Sequence, residues 1–266
     1  MPVKGLKTLF TRRHRSAVRL WAVLVWLLVW EVAALLIGED ILLASPADVI
    51  KRLAELVCTP DYWKRVLFST IHILWGLLLG MVSGVLLGSF AAFLPRVREL
   101  FSPVIYVIKA IPVASFIILA VVWLDETGLG AFISFLICLP VFYTNTVSGL
   151  TGADRKLVEM TKVYRMGPLK KLKAVYLPAL MPYLKAALDV SVGLAWKSGT
   201  AAEVIAIPAG SIGEKLYRAK IYFMTGDMLA WTLTIVLLSA VTAFILKFLM
   251  TKAAGRWGGN DESTGA

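Results

Sequence analysis

The chain has 266 residues, 59% of them hydrophobic and only 17% charged, against about 45–50% and about 25% in soluble domains. That composition excludes a disordered chain and argues against a soluble globular one. The net charge is nonetheless +11, which fits either a nucleic-acid partner or the inner surface of a membrane protein.

A bilayer core about 30 Å thick takes about 20 apolar helical residues, and six stretches are long enough. They cover residues 17–38, 68–93, 100–124, 129–150, 179–207 and 228–250. An all-α membrane protein with six transmembrane helices is therefore expected. It has a cytoplasmic segment 1–16, a transmembrane domain 17–250 and a cytoplasmic tail 251–266. The first stretch begins like a secretory signal, with a basic start and a Leu43-Ala44-Ser45-Pro46 segment behind it. Its apolar run exceeds the 7–15 residues of a signal core, so it is expected to stay as a helix.

The second stretch carries Gly76, Gly80, Gly84 and Gly88, one stripe on a helix face. Such a stripe lets another backbone approach closely, for tight packing or for sliding. Pro103 and Pro112 lie in the third stretch and Pro140 in the fourth. Pro112 and Pro140 each remove a helical hydrogen bond and are expected to kink their helices. The fifth stretch is rich in small residues (Gly193, Ala195, Ser198, Gly199, Ala201, Ala202), which suits the centre of a bundle or dimer.

Ionisable residues inside spans are costly in hydrocarbon. Here they are Glu31, His72, Lys109, Asp189, Lys197 and Glu203. Asp189 and Lys197 are about 80° apart around a helix, and Lys197 and Glu203 about 120°. No narrow face holds all three, so structural pairing and a polar path both remain open. Lys197, beside Trp196, Ser198 and Thr200, is the first choice for lining a path. His72 reads as interfacial, and no pair has the spacing of a metal site.

The positions of the bases settle the meaning of the charge. Eighteen Lys and Arg residues fall in the N-terminal segment, the second-to-third loop (Arg96, Arg98), the fourth-to-fifth loop (Arg155, Lys156, Lys162, Arg165, Lys170, Lys171, Lys173) and the tail. Seven fall on the other side: Lys51, Arg52, Lys64, Arg65, Lys215, Arg218 and Lys220. The positive-inside rule places both termini in the cytoplasm and leaves little reason to invoke nucleic acid.

The longest inner loop, residues 151–178, is not a flexible linker. Leu157, Met160, Thr161 and Tyr164 share one helix face, and Arg155, Lys156, Glu159 and Lys162 occupy the other. Asp154 suits an N-cap. Gly167-Pro168 breaks the helix and starts another, whose apolar face is Leu169, Leu172 and Tyr176. Pro178 marks re-entry into the membrane. The pair reads as a docking element for another protein, or as a helix lying on anionic headgroups.

Glu159-Met160-Thr161, followed by Tyr176-Leu177-Pro178, resembles the EAA loop of bacterial ABC importer permeases. Two departures stand out: the Ala-Ala pair is Met160-Thr161, and the motif glycine position is Arg165, with the nearest glycine at Gly167. Four further segments are similar to the nitrate/sulfonate/taurine branch of these permeases. They are Leu43-Ala44-Ser45-Pro46; Lys109-Ala110-Ile111-Pro112; Pro140 with Asn145-Thr146 and Gly149; and Gly193-Leu194-Ala195-Trp196 with Ala202-Glu203.

The resemblance implies a type I importer fold in the bacterial inner membrane and a homodimer of two permease copies. It also implies cytoplasmic ABC ATPase subunits gripping the loop and an external solute-binding protein delivering cargo. ATP and magnesium would be held in the partner ATPase, and this chain would carry no cofactor. Glu159, Thr161, Tyr164, Arg165, Gly167, Leu172 and Pro178 are the candidate ATPase-coupling residues. Lys109, Asn145, Trp196, Lys197 and Glu203 are the candidates for the translocation path.

The sequence has no Gly-x-x-x-x-Gly-Lys-Ser/Thr, His-Glu-x-x-His or Gly-x-Ser-x-Gly signature, so no catalytic residue is assigned. The alternatives are an ion-coupled carrier or channel using Asp189 and Glu203 and, less favoured, an intramembrane enzyme. Lys109 and Lys197 suit an anion such as a sulfonate or nitrate, whereas Asp189 and Glu203 argue against a purely anionic path. The external segment 208–227, with Glu214, Lys215, Arg218 and Lys220, is a candidate contact for the binding protein.

Overall fold

The computed structural model describes residues 20–39 and 41–257. In chain order the helices are α1 (Leu20–Ile37), α2 (Pro46–Val57), α3 (Pro60–Phe93), α4 (Pro95–Ala110), α5 (Val113–Trp123), α6 (Glu126–Thr151), α7 (Arg155–Val163), α8 (Pro168–Lys171), α9 (Leu177–Ala206), α10 (Ile212–Ile221) and α11 (Thr225–Trp257). A π turn, Leu172–Tyr176, joins α8 to α9. Proline opens α2, α3, α4 and α8 in the first turn, where its missing N–H breaks no helical bond. Ser45 and Ser211 cap α2 and α10 by accepting from the Asp48 and Glu214 amides at 3.1 and 3.0 Å.

The bundle is built around α6, which packs most extensively against α3 and α9. The glycine stripe makes the first contact possible. All four glycines are buried. A Cβ at Gly76 would lie 2.1 Å from the Ala131 carbonyl oxygen, and one at Gly84 would lie 2.7 Å from the Leu139 carbonyl oxygen. The stripe is therefore a tight packing surface between backbones. Ile73 and Leu77 of α3, Cys138 and Phe142 of α6, and Leu188, Val192 and Trp196 of α9 close the main core. Ser134 Oγ donates to the Ala195 carbonyl at 3.1 Å, and the Trp196 indole donates to Thr242 Oγ1 at 3.3 Å, tying in α9 and α11.

Among the described residues, four helical runs are long and apolar enough to cross a bilayer: Pro60–Phe93, Glu126–Thr151, Pro168–Ala206 and Thr225–Lys252. The expected third span is not one helix. Its two halves, α4 and α5, meet at a bend of 103°. Ile111, which precedes Pro112, is pushed into extended backbone at φ −75°, ψ 132°, and Pro112 stays extended at ψ 133°. By contrast Pro140 is accommodated inside the continuous α6. The first stretch forms a shorter apolar helix, Trp21–Ile37. Its expected start at residue 17, the basic N-terminal segment 1–16 and most of the tail lie outside the described residues.

The boundary expected at Pro178 also differs. The fifth stretch begins at Pro168 and runs unbroken to Ala206, 39 residues in all. The π turn widens the helix just before Pro178, with the Leu177 amide donating to the Leu172 carbonyl. The helix of the second expected span, α3, starts at Pro60, eight residues before the apolar run, because Tyr62 and Val66 bury against Ile212 and Trp231. Helices α2 and α10, which lie outside the six expected spans, cap that end of the bundle. There Val49 packs with Ala44 and Ala230, and the Trp30 indole donates to the Ala44 carbonyl at 3.2 Å.

Candidate functional site

Two regions hold the sequence candidates. The first is the α7–α8 loop. The Asp154 carboxylate caps α7 by accepting from the Lys156 amide at 2.9 Å. Thr161 alone of the helix is buried, and its hydroxyl donates to the Val158 carbonyl at 2.6 Å. Leu157, Met160, Val163 and Tyr164 are exposed, as are Leu169 and Leu172 on the following turn. Glu159 is exposed beside them. The loop thus presents a group of large apolar side chains that nothing in the described chain covers.

The turn that ends α7 explains the motif glycine position. The Arg165 amide donates to the Lys162 carbonyl at 3.1 Å, and the Met166 amide to the Thr161 carbonyl at 2.9 Å. This is a Schellman turn, which needs a left-handed residue at its centre. Arg165 supplies it at φ 48°. Gly167, by contrast, sits in ordinary backbone at φ −62° as the residue before Pro168, with open space around it. Pro178 lies in the first turn of α9 and is exposed.

The path candidates are not brought to one place. Lys109 of α4 donates to Thr144 Oγ1 of α6 at 3.5 Å, and next to it the Asn145 amide donates to the Val141 carbonyl at 2.9 Å. A pocket of about 270 Å³ opens here between α4 and α6, lined by Arg98, Ser102, Tyr106, Lys109, Tyr143 and Thr144 among others. Trp196 is buried in the main core, whereas Lys197, next on α9, is exposed. Asp189 pairs with Lys247 of α11 at 3.1 Å. Glu203 is buried near the far end of α9, where one carboxylate oxygen accepts from Ser69 Oγ at 2.7 Å and the Gly213 amide at 3.2 Å. Its other oxygen has no partner. The residue that ends this helix, Ile207, is left-handed at φ 55°, a costly geometry for a β-branched side chain.

Beside Glu203 lies an ion-pair cluster that sequence reading did not find. Arg65 bridges Asp61 at 2.8 Å and Glu214 at 2.6 Å, Arg218 reaches Glu214 at 2.6 Å, and Lys215 reaches Asp61 at 3.0 Å. Burial pushes the Glu214 carboxyl up. Hydrogen bonds from Arg65 and the Gly210 amide, with the charges of Arg65 and Arg218, outweigh that and hold it below its ordinary 4.5. Arg52 of α2 pairs with Asp227 at the start of α11 and with Glu55, and these bonds raise its pKa. Arg52, Arg65 and Lys215 thus fasten α2 and α10 to the bundle, whereas Arg218 pairs within α10. No local motif signals this, because Arg65 and Glu214 are distant in sequence.

Comparison with known proteins matches this architecture to one family. A putative aliphatic sulfonates transport permease protein of Bacillus subtilis is 24% identical over 227 residues, covering 84% of this chain and 82% of the relative. The taurine transport system permease protein of Escherichia coli is 26% identical over 234 residues, covering 84% and 80%. A nitrate import permease protein of Synechococcus elongatus is 24% identical over 214 residues, covering 76% and 75%. Residues 84–257, more than half of the chain and including the whole α7–α8 loop, match the family model, so the protein belongs to the binding-protein-dependent transport system inner membrane components, the permeases of ABC importers.

Proposed function

We propose that the chain is the membrane-spanning subunit of an ATP-driven importer for a small solute such as a sulfonate, taurine or nitrate. The uncovered apolar surface of α7 and α8 carries this reading. A capped, rigid helix with Leu157, Met160 and Tyr164 exposed is what a separate ATPase subunit would grip, and Glu159 lies on the same short helix. ATP and magnesium belong to that partner. Solute arrives from an external binding protein, and the names of the relatives support a small solute that carries a sulfonate or nitrate group.

In this reading α1 is the first span and the bent pair α4–α5 the third, so the chain crosses six times with both termini in the cytoplasm. That orientation rests on the basic α7–α8 loop. Two copies form a homodimer in the bacterial inner membrane. ATP-driven closure of the ATPases moves the docked loops, and the attached helices tilt between inward-open and outward-open arrangements. Lys109, Asn145, Trp196, Lys197 and Glu203 belong to the path or its walls.

Co-purification tests the assignment. The chain should retain an ATPase subunit and raise its hydrolysis when loaded binding protein is added. Uptake that survives ATP depletion and collapses with the ion gradient would overturn it in favour of an ion-coupled carrier.

A further inference from the structure

The α4–α6 pocket has a chemistry of its own. Its lining includes two cations, Arg98 and Lys109, and no carboxylate. The two are eleven residues apart on α4, which places them about 20° apart around the helix, on one face. Ser102 and Ile105 fall on the same stripe between them, and Ile105 and Val147 of α6 supply the apolar part of the lining. Lys109 uses one of the three ammonium donors on Thr144. Tyr143, only 4% exposed, lines the same pocket with a buried hydroxyl that has no hydrogen-bond partner. A buried hydroxyl without a partner is rare and calls for one. Its surroundings offer two positive charges and nothing negative.

We propose that this pocket binds a singly charged organic oxyanion, a sulfonate or phosphate head on a short apolar body. Lys109 and Arg98 hold the charge, the Tyr143 hydroxyl donates to an oxyanion oxygen, and Ile105 and Val147 cover the apolar part. The permease reading enters only in naming transported solute as a source. The headgroup of an anionic lipid carries the same chemistry.

The test uses the full chain, reconstituted with its ATPase subunits in nanodiscs of phosphatidylcholine. One arm measures equilibrium binding of labelled butanesulfonate. The other adds phosphatidylglycerol and counts the molecules retained per chain. Binding should weaken at least threefold in Lys109→Gln and in Arg98→Gln, at least tenfold in the double variant, and severalfold in Tyr143→Phe. Lys185→Gln removes a base that lines a separate pocket with Asp189 and Lys247, and it should bind as the wild type does. Tyr143→Phe keeps the shape and charge of the pocket, so its loss of binding reads the hydroxyl even if the double variant folds poorly. Binding in the sulfonate arm assigns the pocket to cargo, binding in the lipid arm alone assigns it to a headgroup, and either supports the anion site. Wild-type protein that binds neither probe, or Lys109→Gln and Tyr143→Phe variants that bind both unchanged, overturns it. Protein that still couples ATP hydrolysis to uptake but binds neither probe refutes the pocket alone. Protein that binds but shows no ATP-dependent uptake refutes the permease reading alone.

Discussion

Arg165 holds a left-handed conformation at the position where related loops carry glycine, and the cost of that can be worked out. A non-glycine residue there carries about 1–2 kcal/mol of steric strain. Arg165→Gly removes the strain but gives the unfolded chain more freedom, an offset of about 0.4–1 kcal/mol. The net gain for the end of α7 is therefore about 0.5–1 kcal/mol. It should appear where the turn is fastened, at the Met166 amide bonded to the Thr161 carbonyl and the residue-165 amide bonded to the Lys162 carbonyl. Hydrogen exchange at Met166 should slow by about two- to fivefold. Arg165→Val works in the opposite direction, because a β-branched side chain fits φ 48° worse than arginine. Exchange at Met166 that is unchanged or faster in Arg165→Gly would show that the Schellman geometry is not what limits this turn.

The other predictions follow from packing and charge. Gly76→Ala places a Cβ against the Ala131 backbone and should destabilise by about 1–3 kcal/mol, whereas Gly128→Ala, with open space around it, should stay within about 0.5 kcal/mol; equal melting temperatures in detergent would refute the close α3–α6 contact. Glu214→Gln breaks the pairs to Arg65 and Arg218 and should cost roughly 3 kcal/mol. The Glu214 pKa is depressed on folding, so its contribution is full above the ordinary carboxylate value and lost as pH falls through the lower folded value. Thermal unfolding of the wild type should therefore lose stability below about pH 4 more steeply than Glu214→Gln does, and parallel curves would refute the pairing. Glu159→Lys should abolish ATP-dependent uptake while membrane insertion and solubilised yield stay normal; unchanged uptake would remove this residue from the docking surface.

Composition was enough to find the apolar runs, and spacing was enough to find the glycine stripe and the amphipathic loop, because each is a local pattern. A kink at Pro112 was readable from the proline itself, but a bend of 103° that splits the span in two was not, since the apolar run continues on both sides of it. Pro112 and Pro140 look alike in sequence but behave differently. Around Pro140 the Thr144 hydroxyl donates back to the Pro140 carbonyl at 2.8 Å, and the Asn145 amide to the Val141 carbonyl at 2.9 Å. The helix is also held by α3 and α9. Helices α2 and α10 were missed for another reason. Each is short and amphipathic, below the length at which a helix holds itself together, and forms because its apolar face meets α11 and α3. The same long-range contacts decide the charges. Glu203 stands out in sequence as a charge in an apolar run, and the structure adds that it accepts from Ser69 of α3 and from the Gly213 amide at the start of α10. The two faces of α7 read correctly as apolar and polar, yet only the structure shows that the chain buries neither, apart from Thr161.

These observations combine into a constraint on how motion can pass through the protein. The loop that presents the exposed apolar side chains of α7 and α8 is not joined to the bundle by a flexible segment on its C-terminal side. From Pro168 the chain is helical without a break to Ala206, about 58 Å at about 1.5 Å per residue. At its far end Glu203 holds the Gly213 amide and Ser69, and Ser69 in turn accepts from the Ile212 amide at 3.0 Å. The Arg65–Glu214 pair then locks the same short helix to α3. A force applied to α8 therefore reaches α10 through one helix and a set of buried polar bonds, not through a flexible loop. The π turn at Leu172–Tyr176 is the compliant point along that run, since its wider hydrogen-bond ring is less stable than an α turn. It follows α8 directly. Displacement of the loop must either be absorbed in that single turn or tilt the whole of α9. Because α9 packs along α6, and α6 is locked to α3 through glycine contacts, tilting α9 has to carry the central three helices with it as one body.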